Sequence, residues 1–229
     1  MVSKAPSAPR CAAIVGSYLS GKTTLFESIL HSAGATNRRG KVSDGNTVGD
    51  SSPEARAREM SVEMNVATID YLGEEWTFID CPGSVELQQE TIGALMVVDA
   101  AIVVCEAGQE KAIAVTRLMK ELDELSIPYL VFINKMDLPE AHVKSTLEAL
   151  QGMTERPLVL REIPIREDNV VTGFIDLVSE RAYKWEESAP SNLIEIPEAI
   201  NGRTEEERTQ MLESLADFND DLLEQLLED

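Results

Sequence analysis

Histidine, cysteine and basic residues are scarce in this 229-residue sequence, and each shortage rules something out. The three cysteines, Cys11, Cys81 and Cys105, have no metal-ligand spacing, and two of them lie inside apolar runs. They read as small buried hydrophobes in a reduced compartment, not as a disulfide framework or a zinc site. The two histidines, His31 and His142, fall at helix edges away from every motif and read as surface residues. Lysine and arginine total 20 against 41 acidic residues, for a net charge of −21. Binding to bare nucleic acid needs cations against the phosphates, so no direct nucleic-acid contact is expected. Long apolar runs are missing as well. The longest, Ala94 to Cys105, is interrupted by Asp99 and too short for a bilayer. Met1 to Arg10 lacks the apolar core of a signal peptide and reads as a disordered tail, 1–10. These absences predict a cytoplasmic protein with no membrane partner.

What remains is the composition of an ordinary globular protein, 43% hydrophobic and 27% charged, in one large domain or a domain with a subdomain. Its organising stretch is Gly16-Ser-Tyr-Leu-Ser-Gly21-Lys22-Thr23, which fits G-x-x-x-x-G-K-[ST]. The apolar run Cys11 to Val15 predicts a strand entering this loop, and Thr24-Leu25-Phe26 with Ile29-Leu30 a helix leaving it. In that geometry backbone N–H groups and the positive helix terminus converge on phosphate oxygens. Gly16, Ser17, Ser20, Gly21, Lys22, Thr23 and Thr24 would line the nucleotide, with Lys22 on the outer phosphates and Thr23 on magnesium.

A polar, glycine-containing segment runs from Ala33 to Met60 and reads as a functional loop. Strands are predicted over Ser61–Tyr71 and Trp76–Asp80, joined as a hairpin through Leu72-Gly-Glu-Glu75. An amphipathic segment reaches Met96, followed by a strand at Ala100–Cys105, a helix at Gln109–Leu125, a strand at Ile127–Ile133 and a helix at His142–Leu150. The alternation predicts an α/β fold in three layers, a mostly parallel sheet with helices on both faces. In such sheets ligands bind beyond the carboxyl ends of the strands, where Asp80-Cys-Pro-Gly83 and Asn134-Lys-Met-Asp137 also lie. After Pro157 the pattern changes to short strands at Leu158–Ile165, Gly173–Asp176 and Arg181–Trp185. A Pro-, Ser- and Glu-rich linker then leads to helices at Thr204–Ala216 and Asn219–Leu227.

The three motifs in this order resemble those of a translational GTPase, elongation factor G and the elongation factor G-like proteins of bacteria above all. The resemblance implies GTP or GDP with Mg2+ as ligands, and a GTP hydrolase. It implies that Asp80 holds magnesium through water, that the Gly83 N–H meets the γ-phosphate, and that Ser61 supplies a further magnesium ligand. It implies that Asn134 braces the loop, that the Lys135 stem stacks on the base, and that Asp137 accepts from the two N–H donors of the guanine edge. Adenine offers no such pair, so an unpaired Asp137 would disfavour ATP. Lys22, Gly83 and Ser84 are the candidate catalytic positions.

Three departures from the family pattern stand out, of which the first two bear on turnover. Ser84 stands where the family has a water-positioning histidine, and a hydroxyl has no imidazole to tune near neutral pH. Leu19 stands where an Asp is common, and Glu59 where glycine is usual in the first switch. Arg56 and Arg58 read either as transition-state charge stabilisers or as solvated residues. Slow or ribosome-dependent hydrolysis is therefore expected, with a non-hydrolysing GTP-gated module as the alternative. The resemblance further divides the chain into a GTP-binding domain, 11–157, and the start of an inserted α+β subdomain, 158–229. The expected last strand and helix of the GTP-binding domain are absent, so the chain is read as a fragment. The acidic C-terminal part, with Glu205-Glu-Glu207 and Asp220-Asp221, reads either as a solvated face or as a docking surface for a basic partner, which the resemblance implies is the ribosomal stalk, and the protein is expected to be a monomer.

Overall fold

The structure, a computed structural model, describes residues 10–138, 142–168, 170–186, 189–219 and 224. The chain divides into two compact units, Met1–Asn134 and Lys135–Asp229.

In the first unit, β1 (Arg10–Gly16) is the middle strand of a five-stranded sheet with β2 (Asn65–Tyr71), β3 (Glu74–Asp80), β4 (Ala100–Glu106) and β5 (Tyr129–Asn134). The order is β2-β3-β1-β4-β5, with β3, β1, β4 and β5 parallel and β2 antiparallel to β3. Ala12 and Ile14 join Phe26 and Leu30 of α1 (Lys22–Ser32), with Ile69, Phe78 and Val104, in one core cluster. The alternate residues Ala13 and Val15 are fully buried too, so β1 is covered on both faces, as a central parallel strand must be. Burial pushes the Cys81 thiol up to about 12 and the Cys105 thiol up to about 11, in keeping with inert core residues.

Several boundaries differ from those the sequence pattern predicts, each for a local reason. Arg10, assigned to the tail, opens β1: its guanidinium lies 5.0 Å from the Trp76 ring centroid and 3.6 Å from Glu74. The hairpin turns at Leu72-Gly73 alone, whose φ values of 54° and 76° match the twist of the flanking strands. The polar loop holds a short helix, α2 (Pro53–Arg58), capped by Ser52, whose hydroxyl accepts from Ala55 N–H at 3.2 Å. After α3 (Gln88–Leu95) and β4, the helix expected over Gln109–Leu125 is two: α4 (Gln109–Ile113) and α5 (Thr116–Glu124). Ala114 and Val115 close α4 with i→i+3 bonds, and the break turns fully buried Val115 inward with Ala112, Met119 and Leu122.

The second unit holds α6 (Val143–Gln151) and a four-stranded antiparallel sheet ordered β6-β7-β8-β9: β6 (Glu162–Glu167), β7 (Val170–Asp176), β8 (Arg181–Lys184) and β9 (Asn192–Ile194). β9 lies in the stretch read as a linker; three residues are too few for a period-2 signal. One long helix, α7 (Glu198–Ala216), starts six residues ahead of the predicted Thr204, right after Pro197. Its Met211, with Ile200 and Leu212, packs on Ile163, Ile165, Ile175, Leu177 and Ala182. Arg208 fastens the helix to the sheet, donating to the Leu177 carbonyl and pairing with Glu180 at 3.2 Å. The helix expected from Asn219 to Leu227 falls, but for Asn219 and Glu224, outside the described residues. Among the described residues no helix is long and apolar enough to cross a membrane.

Candidate functional site

Strand register brings three of the motif ends to one side of the first sheet. Ile14 stands opposite Asp80, Gly16 opposite Val104, and Glu106 opposite Asn134. The chain leaves β1 at Gly16 and reaches α1 through a loop with positive φ at Gly16 (148°), Leu19 (58°) and Gly21 (96°). α1 starts directly at Lys22, with no side-chain cap and no acidic residue in its first turn. Its first N–H groups are thus left for an anion, where the helix dipole also favours one.

Lys22 is buried, and its Nζ donates to the Ser17 carbonyl at 2.8 Å inside the loop. The segment after β3 passes directly over it: a Cβ on Gly83 would lie 2.2 Å from Lys22 Nζ and 2.8 Å from the Ser17 oxygen. Thr23 Oγ1 donates to Asp80 Oδ2 at 2.7 Å and lies 3.0 Å from Ser61 Oγ. Asp80 is fully buried, and burial raises its carboxyl to about 7 against the opposing Thr23 bond and Lys22 charge. Burial lowers the Lys22 ammonium, with Asp80 and Cys81 opposing. Two buried oxygens here have no hydrogen-bond partner, Asp80 Oδ1 and Ser20 Oγ.

Those features test the fit of a magnesium ion. Mg2+ takes one or two carboxylates, hydroxyls, water and substrate phosphates. Thr23, Ser61 and Asp80 are such a set, all oxygen, with Thr23 within hydrogen-bond distance of both others and a spare carboxylate oxygen already stripped of water. The residues fit the ion.

The structure therefore brings together Gly16 to Thr23, Ser61, Asp80, Gly83 and Asn134. The last donates from Nδ2 to the Ser20 carbonyl at 2.8 Å, across 114 positions of sequence. Lys135 and Asp137 lie on the turn that opens the second unit, where Leu138 N–H donates to the Lys135 carbonyl at 3.2 Å. Lys135 has a φ of 58°, and Arg166 holds the turn through the Met136 carbonyl at 3.0 Å. Thr24 is exposed on α1, its carbonyl accepting from Ser28. Ser84 is half-buried in extended backbone and lines a cleft of about 970 Å³ with Ser17, Gly83, Arg58 and Glu106.

Other candidate positions resolve locally. Arg58 is exposed and paired with Glu54 at 2.8 Å, one turn away, and Arg56 is exposed. Both histidines are exposed, as expected. Glu59 closes α2 in the left-handed conformation, φ 50° and ψ 40°, where glycine fits without cost and a side chain costs roughly 1 kcal/mol. Two buried carboxylates escaped the sequence reading. Asp50 accepts from Asn65 Nδ2 at 3.1 Å while its other oxygen is unpartnered, and nothing periodic marks it. Glu27 lies on the buried stripe of α1 beside Phe26 and Leu30, and a charge on an apolar stripe was a usable signal.

The same order of parts recurs in known proteins. The sequence is 48% identical to an elongation factor G-like protein of Synechocystis sp., over 96% of this chain and 33% of that protein. It is 31% identical to the elongation factor G of Thermotoga petrophila, over 91% of this chain and 30% of that protein. A crystal structure of a protein from Thermus thermophilus superposes with a TM-score of 0.88 at 32% identity, covering 96% of this chain and 33% of that one. The chain thus spans about a third of the length of these relatives. Residues 8–221 match the family described as the elongation factor Tu GTP binding domain, and with the phosphate loop, Asp80 and Asn134 gathered at the carboxyl ends of the strands, the chain belongs to that family.

Proposed function

We propose that this chain is the guanine-nucleotide-binding domain of an elongation factor G-like translational GTPase, magnesium-dependent and slow or ribosome-dependent in hydrolysis. The observation that carries the reading is the convergence of Lys22, Thr23, Ser61, Asp80, Gly83 and Asn134 on the uncapped start of α1. In this reading residues 11–157 form the GTP-binding domain and 158–229 begin an inserted subdomain, in a monomeric cytoplasmic protein. The ribosome is the partner, and the exposed Glu205, Glu206 and Glu213 of α7 are the surface for its stalk.

Each residue then has a task. Lys22 exchanges the Ser17 carbonyl for phosphate oxygens, and the first N–H groups of α1 and that of Gly83 donate to the same oxygens. Thr23, Ser61 and, through water, Asp80 would hold Mg2+, which when bound would neutralise phosphate charge. Asn134 fixes the loop through Ser20, the Lys135 stem covers one face of the base, and Asp137 accepts from two guanine N–H groups. Hydrolysis forms a bond from water oxygen to the γ-phosphorus and breaks the bridging P–O bond, giving GDP and phosphate. Ser84 is the group placed to orient that water.

Fluorescent GTP is expected to bind with micromolar Kd. Asp137→Asn removes one of two charge-assisted acceptors and is expected to weaken binding about 100-fold, from roughly 1.5–3 kcal/mol per bond. Competition by ATP equal to that by GTP would refute the guanine assignment. Because Ser84 offers only a hydroxyl, a second reading, a GTP-gated module that does not hydrolyse, is also favoured by this site. Single-turnover assays of the unmodified protein and Ser84→His, with and without ribosomes, separate the two. On the first reading ribosomes stimulate the unmodified protein and Ser84→His is faster still, by about 10²-fold as expected for a positioned acid–base group; no turnover without the histidine selects the module.

A further inference from the structure

Of the buried carboxylates in the first unit that the nucleotide reading leaves unused, Glu27 is the most enclosed. Glu27 is 1% exposed on the apolar stripe of α1. Its two oxygens accept main-chain bonds from the two ends of a single loop: Gly40 N–H donates to Oε2 at 2.9 Å, and Val48 N–H to Oε1. The loop is shaped around that carboxylate. A Cβ on buried Gly40 would lie 2.6 Å from Oε2, 2.8 Å from Thr47 Cα and 2.9 Å from the Asn46 carbonyl. Between the two ends Lys41 N–H donates to Asn46 Oδ1 at 2.7 Å, and Arg38, two residues ahead of Gly40, donates to the Asn46 carbonyl at 3.3 Å, so the loop is closed on itself. A carboxylate so far from water persists only when its lone pairs are satisfied, and two charge-assisted bonds do that.

The following stretch is held differently. α2 is exposed except at Ala55, and beyond it buried Ser61 reaches the site through a 3.0 Å contact with Thr23. We propose that Glu27 is a positioning residue. It fastens residues 40–48 to the helix that starts at Lys22 and Thr23, so this half of the loop moves with the phosphate site. The half from Ser51 to Ser61 is left to respond to the nucleotide. Only that second statement rests on the guanine-nucleotide reading above.

The test is hydrogen exchange on the full chain, without nucleotide, with GDP and with a non-hydrolysable GTP analogue. Residues 40–48 are expected to stay protected in all three states, while exchange in 51–61 changes with the nucleotide. Glu27→Gln keeps the shape but turns an NH2 toward one N–H donor, and is expected to speed exchange over 40–48 at least about 10-fold, the worth of one such bond. Gly40→Ala disturbs the same contact from the loop side, without touching a charge, and is expected to give the same regional loss. Equal protection of 40–48 in both variants and the unmodified chain overturns the proposal. So does a loss spread evenly over β1 and β3, which would make Glu27 a core residue only. Nucleotide-dependent exchange in 40–48 as large as in 51–61 overturns the division of the loop. A chain that binds no guanine nucleotide refutes the functional reading instead, and the comparison without nucleotide still decides the role of Glu27.

Discussion

Gly21→Ala is expected to lose about 100-fold in nucleotide affinity while the chain keeps its fold. Two costs meet at this one methyl group. Gly21 has φ 96° and ψ 22°, a conformation that costs an L-residue roughly 1–2 kcal/mol. The added carbon would also lie 2.3 Å from Asn134 Nδ2, the atom that holds the Ser20 carbonyl. An amide at the end of a side chain can swing aside, so the clash is relieved without opening the sheet. The relief breaks the tie between β5 and the loop, and the N–H groups of α1 no longer share one focus. Strain and lost tie together come to about 3 kcal/mol, or two decades in Kd. Titration with fluorescent GDP beside thermal unfolding checks both halves. Asn134→Ala, which removes the tie without the strain, should cost about tenfold. An affinity within threefold of the unmodified chain for Gly21→Ala would show that the tie contributes nothing.

The largest effect on stability is expected at Gly16→Ala, about 4 kcal/mol in the first unit. Here a Cβ would stand 2.2 Å from the Val104 carbonyl oxygen and 3.1 Å from its carbon. Val104 is fully buried in β4 and is the register partner of Gly16, so the obstacle is main chain between two central strands and cannot rotate away. Overpacking a core costs about 1–3 kcal/mol even where side chains yield. The φ of 148° adds strain that essentially only glycine escapes, worth roughly 1–3 kcal/mol. With two compact units, one global unfolding curve would mix two transitions. The sequence has two tryptophans, Trp76 in β3 and Trp185 in the second unit, so a Trp185→Phe background leaves one reporter for the first sheet. Urea denaturation read from Trp76 should then show the loss; a shift under about 1 kcal/mol would mean that the strands part more easily than their packing implies.

Much of the phosphate site is legible in the sequence alone. The glycines, Lys22 and Thr23 stand out because phosphate chemistry demands those residue types at that spacing. The strands of the first sheet were found because buried parallel strands are written as short apolar runs. The fold class followed from their alternation. What stayed hidden depends on where the chain returns in space. Glu27 acquires its role only when Gly40 and Val48 come back over α1, and no local pattern announces that. α2 was obscured by the polar loop around it, although Ser52-Pro53-Glu54 carries a capping signature. The kink at Val115 serves burial of one residue on a helix whose apolar period runs on unbroken.

The strand order has a further consequence, for the ribosome that makes this chain. β1 is synthesised before the other strands of its sheet and sits in the middle, between β3 and β4. Its partner β4 ends at Glu106, roughly ninety residues after Gly16 has left the exit tunnel. At about 5–20 residues per second, Ala12 to Val15 wait on the order of 5–20 s for their second neighbour, an apolar strand with both edges unpaired at the start. The segment that anchors the nucleotide site in the finished protein is thus one in need of shelter during birth, and a holding chaperone should find a binding stretch there.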